Sequence, residues 1–247
     1  MRRKLLTIVL CLSVIAISQA AHAEEGEWDA SVAVGLNTTK GNSDTMLATL
    51  GVSGQKEEGH NILHLGVDAA YGETTVEQDD GTDLDETTAQ NAKAYANYKR
   101  TRNRSFAYLD ANILHDDIAD VDYRAAVGPG VGYFFVKSEE SSLSAEAGPT
   151  YIWEKVGGVE DDYLAIRIAE RGEMKLSDTS KLWESLEYLP KAEDFDDYLL
   201  VAEVGAEAAL NSSLSLRVVA QDKYDSTPAA DQEQNDLSIT AAIVYQL

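Results

Sequence analysis

The stretch that decides the fold is Asp236–Leu247, "DLSITAAIVYQL". Every second residue is apolar: Leu237, Ile239, Ala241, Ile243, Tyr245 and Leu247. Ser238, Thr240, Ala242, Val244 and Gln246 fall between them. Side chains of an extended chain alternate between two faces, so this is a strand with one apolar face. Chain ends usually fray into solvent, yet no polar tail follows. A last strand that closes a barrel against the first one accounts for this, because closure leaves neither edge unpaired.

The same period of two runs through the chain from Trp28 onward. Trp28, Ala30, Val32, Val34 and Leu36 share one face, while Asp29, Ser31, Ala33, Gly35 and Asn37 share the other. Leu143, Ala145, Ala147, Pro149, Tyr151 and Trp153 alternate with Ser144, Glu146, Gly148 and Thr150. Twelve such segments are expected, at 27–38, 44–56, 60–75, 87–101, 104–115, 121–137, 141–155, 162–176, 180–191, 197–210, 213–224 and 235–247. A soluble strand is typically about 5–6 residues and a tilted membrane-crossing strand about 9–11, so these segments suit crossing with overhang. The segment 180–191 is the least regular, because Glu184 and Glu187 fall on opposite faces; a bulge is expected there.

Composition excludes several alternatives. The formal charge is −23, which argues against a nucleic-acid partner. Apolar residues make up 44% and are patterned, which argues against disorder. At the N-terminus, Arg2, Arg3 and Lys4 precede an apolar run, Leu5–Ile17, and the small-x-small site Ala21–Ala23. Residues 1–23 therefore read as a secretory signal cut after Ala23, leaving 24–247 as the barrel. Losing the three basic residues takes the formal charge to −26. The single cysteine, Cys11, goes with the signal, leaving no disulfide or thiolate site. After Ala23 no apolar run is long enough for a membrane helix, so the closed β-barrel is the remaining way to cross.

Connections and aromatics sort by position. The even connections are short, "TRNR" (101–104), "SDTS" (177–180) and "NSS" (211–213) among them. The odd ones after the first are longer and acidic, among them "VEQDDGTDLDE" (76–86), "HDDIADVD" (115–122) and "KVGGVEDD" (155–162). Outer-membrane barrels have short periplasmic turns and longer outer loops, so both termini are expected on the periplasmic side. Tyr71, Tyr123, Tyr151, Trp153, Tyr163, Tyr188, Tyr198 and Tyr224 then form an outer girdle. Trp28, Tyr98, Tyr108, Tyr133, Phe135, Trp183 and Tyr245 form an inner one, with the facing of Tyr108 and Tyr123 left open by the alternation.

The inner face is charged. The alternation places Asp68, Lys93, Lys99, Asp110, Arg124, Glu146, Arg167, Arg171, Glu203, Glu207, Arg217 and Lys223 in the lumen, where opposite charges on neighbouring strands should pair. Twelve strands lie between the filled 8-stranded barrel and the open 16-stranded porin, so either a plugged scaffold or a narrow, charge-selective pore is expected. In "GPGVGY" (Gly128–Tyr133) the three glycines share a face; with Gly148 they should leave a hollow on the inner wall. No phosphate loop is read there, since the spacing is wrong and no helix follows. The outer acidic groups, Asp79, Asp80, Asp83 and Asp85, and Asp116 and Asp117, offer oxygen ligands for Mg²⁺ or Ca²⁺ without the spacing of an EF-hand. His115, beside Asp116 and Asp117, is the one histidine placed to serve a surface hydrolase. No catalytic triad is readable, and the expectation is a non-enzyme without cofactor.

"GNSDT" (Gly41–Thr45), "YANYKR" (Tyr95–Arg100), "DYRAAVGPGVGY" (Asp122–Tyr133) and "IVYQL" (Ile243–Leu247) resemble the YdiY-like family. Its members are described as salt-induced outer membrane proteins under a domain of unknown function. The resemblance implies an outer-membrane barrel of unassigned activity and carries over no catalytic residue. An aromatic two places before an apolar last residue also resembles the signal read by barrel-assembly machinery, although Leu247 stands where Phe is usual. The expected function is a structural or narrow-pore envelope protein linked to salt or osmotic conditions, in contact with outer-membrane lipid and lipopolysaccharide. The alternatives are a surface enzyme acting on lipid or lipopolysaccharide, and a cation-binding surface protein.

Overall fold

The structure is a computed structural model that describes residues 26–39, 44–77, 83–230 and 232–247. The signal segment 1–23 and the loop residues Asp79 and Asp80 lie outside the described residues. The described chain holds twelve strands: β1 (Trp28–Thr39), β2 (Asp44–Glu58), β3 (Asn61–Glu77), β4 (Asp83–Arg102), β5 (Ser105–Asp116), β6 (Val121–Lys137), β7 (Ser141–Val156), β8 (Val159–Ser177), β9 (Ser180–Pro190), β10 (Tyr198–Ala209), β11 (Leu214–Asp225) and β12 (Asn235–Gln246). Each pairs antiparallel with its sequence neighbours, and β1 pairs with β12 to close the barrel. The closing register runs from Ser31↔Gln246 to Gly35↔Ala242. The Leu247 amide adds a hydrogen bond to the Ala30 carbonyl at 2.9 Å.

The alternation read from the sequence holds on the wall. Val34, Leu36, Val131, Trp153, Val204, Leu237 and Ile239 are exposed on its outer face. The buried apolar cluster lies inside the barrel instead: Ala126, Ile152, Ala165 and Leu189, with Tyr163 and Leu199 packed against it. Two turns show the local chemistry. Gly157 and Gly158 join β7 to β8, both with positive φ (59° and 75°), as a two-residue hairpin loop matched to the strand twist requires. Asn103, between β4 and β5, takes φ 58°, which its short polar side chain tolerates.

Three expectations are corrected. The segment 155–162 is not a loop: the strands run to Val156 and from Val159, and surplus length at the third and seventh connections is spent on strand extension, with β4 reaching 20 residues and β8 19. β9 is regular against β10 throughout; the irregularity falls in β8, between Lys175 and Ser177. The girdles lose three members. Tyr108 is buried at 4% exposure, Tyr163 packs on the internal cluster, and Trp183 donates its indole N–H inward to Glu203 at 2.8 Å. The other girdle aromatics stay outside; Tyr198 stacks on Tyr224 with ring centres 5.7 Å apart, and Tyr188 tilts against Tyr198 at 5.3 Å.

Candidate functional site: the lumen

Inward-facing charges of β4 to β11 assemble into two polar groups. Glu146 on β7 is 8% exposed. It accepts from Lys99 Nζ of β4 at 2.5 Å and from Arg167 Nη1 of β8 at 2.7 Å. Arg167 also donates through Nε to Glu187 of β9 at 2.6 Å. Its guanidinium lies 5.3 Å from the Tyr108 ring centre, and Lys99 lies 5.1 Å from that of Phe106. A carboxylate this dry is tolerable only with both partners in place. In the second group Glu207 accepts from Arg217 Nε and Ser215 Oγ, each at 2.8 Å. Glu203 accepts from Trp183 and, at 3.0 Å, from Gln221.

The glycine row does not leave the expected hollow. A Cβ on Gly130 would overlap the Tyr108 ring, and one on Gly132 the Phe106 ring. A Cβ on Gly128 or Gly148 would overlap the backbone of the facing strand. The glycines are places where rings of β5 and a neighbouring backbone come close, and the inner wall of β5, β6 and β7 is filled at these points. Ring and wall fill each other.

Small inward residues are frequent on β12, β1, β2 and β3, among them Ser238, Thr240, Ala242, Ser31, Ala33, Ser53 and Ala70, although the Tyr95 ring of β4 fills the place of a Cβ on Gly66. Asp68, Lys93 and Arg171 point inward and are nonetheless solvent-exposed. Among the described residues Lys93 and Arg171 form no ion pair. The lumen is therefore packed in part and carries exposed charges on β3, β4 and β8.

One mouth of the barrel is crossed by a bar. Arg124 of β6 pairs with Glu154 of β7 and reaches Asp225 of β11 at 3.3 Å. β6 and β11 are five strands apart around the wall. The connection after β11 folds toward the same mouth. Its Ser226 Oγ accepts from the Tyr198 amide at 2.7 Å, Thr227 donates to Asp197 at 2.7 Å, and Ala229 packs beside Gly157 of the β7–β8 hairpin. At the rim Lys191 donates to Asp161 at 2.8 Å, which raises its ammonium above the ordinary lysine range.

Of the lumen charges named from the sequence, Lys93, Arg124, Glu146, Arg167, Arg171, Glu203, Glu207 and Arg217 all lie on the inner face, and six of these make the contacts above. Glu154, Glu187 and Asp225 were missed, although each follows from extending the same alternation toward the strand ends. The acidic loop candidates do not converge. Asp85 accepts from Thr75 at 2.8 Å, Asp116 accepts from the Ala119 amide at 3.3 Å, and the side chain of Asp83 is outside the described residues. No group of three potential metal ligands forms among the described residues. His115 has both ring nitrogens engaged, Nδ1 with the Asp122 carbonyl at 2.9 Å and Nε2 with Asp117 at 3.1 Å. That arrangement ties a turn together.

A closed twelve-stranded antiparallel barrel with an apolar outer wall and a charged interior is an outer-membrane-type β-barrel of porin-like build. The chain belongs to the family described as "Protein of unknown function, DUF481", whose profile matches residues 32–247. The fold is similar to that of the NanC porin, at 5% identity and TM-score 0.53, covering 88% of this chain and 99% of that one. It is also similar to the COG4313 outer membrane channel from Pseudomonas putida F1, at 9% identity and TM-score 0.54, covering 92% and 97%. No curated protein matches the sequence at a significant level.

Proposed function

We propose that this protein sits in the bacterial outer membrane and forms a narrow passage for small polar solutes, restricted at one mouth by the Arg124 bar. The observation that carries this reading is the exposure of Asp68, Lys93 and Arg171 on the inward face. Ionised side chains left this exposed inside an apolar wall must be hydrated, so water reaches that part of the lumen. The channels and porins of the same fold support the reading. Its partners are outer-membrane lipid, lipopolysaccharide and the assembly machinery that would read Tyr245–Leu247. The acidic outer connections and the likeness to salt-induced proteins support a role under changing salt.

Planar-bilayer recording of the purified protein tests the channel. Small, salt-dependent conductance steps are expected, with a reversal potential that moves when Lys93 and Arg171 are neutralised. A silent bilayer at every salt concentration would leave a plugged scaffold as the function.

A further inference from the structure

The end of the barrel that carries the short turns has one basic edge. Tyr98–Arg104, "YKRTRNR", holds Lys99, Arg100, Arg102 and Arg104 and no acidic residue, in a chain whose Asp and Glu outnumber Lys and Arg by 43 to 20. Lys99 points inward to Glu146. Arg100 and Arg102 follow Tyr98 at period two and face outward from β4, and Arg104 lies in the turn to β5. All three arginines are exposed. Among the described residues none of them forms an ion pair. The neighbouring turns are mixed in charge: Glu58 pairs with Lys56 at 3.4 Å, and Glu139 and Glu140 follow Lys137.

This edge is held in place beside aromatic rings. The Phe134 amide donates to the Arg104 carbonyl at 2.7 Å, and Arg104 Nη1 donates to the Phe135 carbonyl at 3.4 Å. Both bonds tie the turn to β6. Tyr98, Tyr133 and Phe135 stand exposed on the outer wall. Tyr133 and Phe135 meet edge to face with ring centres 5.4 Å apart, and Tyr98 donates its hydroxyl to Asn61 at 2.6 Å. Farther along the wall the exposed residues of β5 and β6 are apolar, Ala107, Leu109 and Val131 among them. Amphipathic rings on a barrel wall mark the headgroup level of a bilayer. The three guanidinium groups therefore lie where lipid phosphates lie, with apolar wall beyond them for acyl chains.

We propose that the Arg100–Arg104 edge binds the phosphate of an anionic glycerophospholipid and so sets the height of the barrel in the membrane. The planar fork of each guanidinium matches two phosphate oxygens at once, and a basic cluster at the headgroup level favours anionic lipid. A zwitterionic headgroup fits less well, because its ammonium would meet further arginines and no carboxylate. The hydroxyls of a glycerol headgroup meet the exposed side chains of Asn103 and Ser105 instead. On the reading above this end is periplasmic, where the leaflet is phospholipid. The phosphates of lipopolysaccharide lie in the opposite leaflet, beside the acidic connections. The inference rests on the membrane-spanning reading of the barrel but not on passage through its lumen.

Native mass spectrometry of the purified protein, released from detergent after incubation with equal amounts of phosphatidylglycerol and phosphatidylethanolamine, counts the lipid retained. Phosphatidylglycerol is expected in about tenfold preference. The preference should vanish in Arg100→Gln/Arg102→Gln/Arg104→Gln, whose heat-shifted gel mobility shows that it folds, and persist in Lys155→Gln at the other rim. Equal retention of the two lipids, or a preference that survives the triple variant, would overturn the site. Displacement by inorganic phosphate at equal concentration, or stronger binding of lipid A at these arginines, would overturn the lipid assigned to it. A second measurement needs no variant. In phosphatidylethanolamine vesicles, trace phosphatidylglycerol with a diazirine high in its acyl chain should label the outer wall of β4–β6 more than that of β10–β12; even labelling would overturn the proposal. A barrel silent in planar bilayers loses the channel reading and can still pass both tests. A chain soluble without detergent loses the membrane-spanning reading itself.

Discussion

Glu146→Gln isolates the charge at the centre of the packed wall. Gln keeps the volume and hydrogen-bonding reach of Glu but removes the anion that Lys99 and Arg167 share at 2.5 and 2.7 Å. Breaking a buried ion pair from one side generally costs about 3–5 kcal/mol, because the stranded partner stays buried and charged. Here Arg167 keeps Glu187 at 2.6 Å, and the Lys99 side chain is 20% exposed, so some water reaches it. The expected loss is therefore below that range, about 2–3 kcal/mol. Equilibrium urea unfolding in vesicles, followed by tryptophan fluorescence, reads it directly. Adding Lys99→Met removes the stranded cation and should recover at least about 1 kcal/mol, a non-additivity well beyond the ~0.3–0.5 kcal/mol typical of independent sites. Strictly additive single and double mutants, or a Glu146→Gln loss within about 0.5 kcal/mol, would refute the shared-anion reasoning.

Three further outcomes follow from the geometry. Arg124→Ala should widen the barred mouth and raise single-channel conductance, while an unchanged conductance would move the restriction elsewhere. Gly130→Ala should destabilise the barrel by about 1–3 kcal/mol through overlap with Tyr108. The loss should shrink in a Tyr108→Leu background, as urea midpoints will show. Gly157→Val places a β-branched residue at φ 59° and should cost about 1–3 kcal/mol; faster amide exchange confined to the β7–β8 hairpin would mark it.

The alternation told which way Glu146, Arg167 and Arg217 point, and local register shifts interrupt it in the β3–β4, β5–β6, β6–β7 and β8–β9 pairs. The girdle assignment misled at Trp183 and Tyr163, which were placed against lipid because aromatic residues near strand ends commonly lie there. Both have inward parity, Trp183 with Lys181 and Ser185, and Tyr163 with Ala165 and Arg167. The glycine row misled for a related reason. The missing Cβ at Gly130 is visible in the sequence, but the ring that fills the space comes from Tyr108 on the preceding strand.

Strand number, the facing of each side chain and the antiparallel order are properties of local period two, and the sequence by itself determined them. Which charges meet was decided by the tertiary structure. Lys99 and Glu146 are three strands apart, and Arg124 and Asp225 are five. Such contacts depend on how the closed wall is shaped and which side of it is packed. Only the geometry of closure, which must reconcile twelve registers at once, determines which inner faces meet.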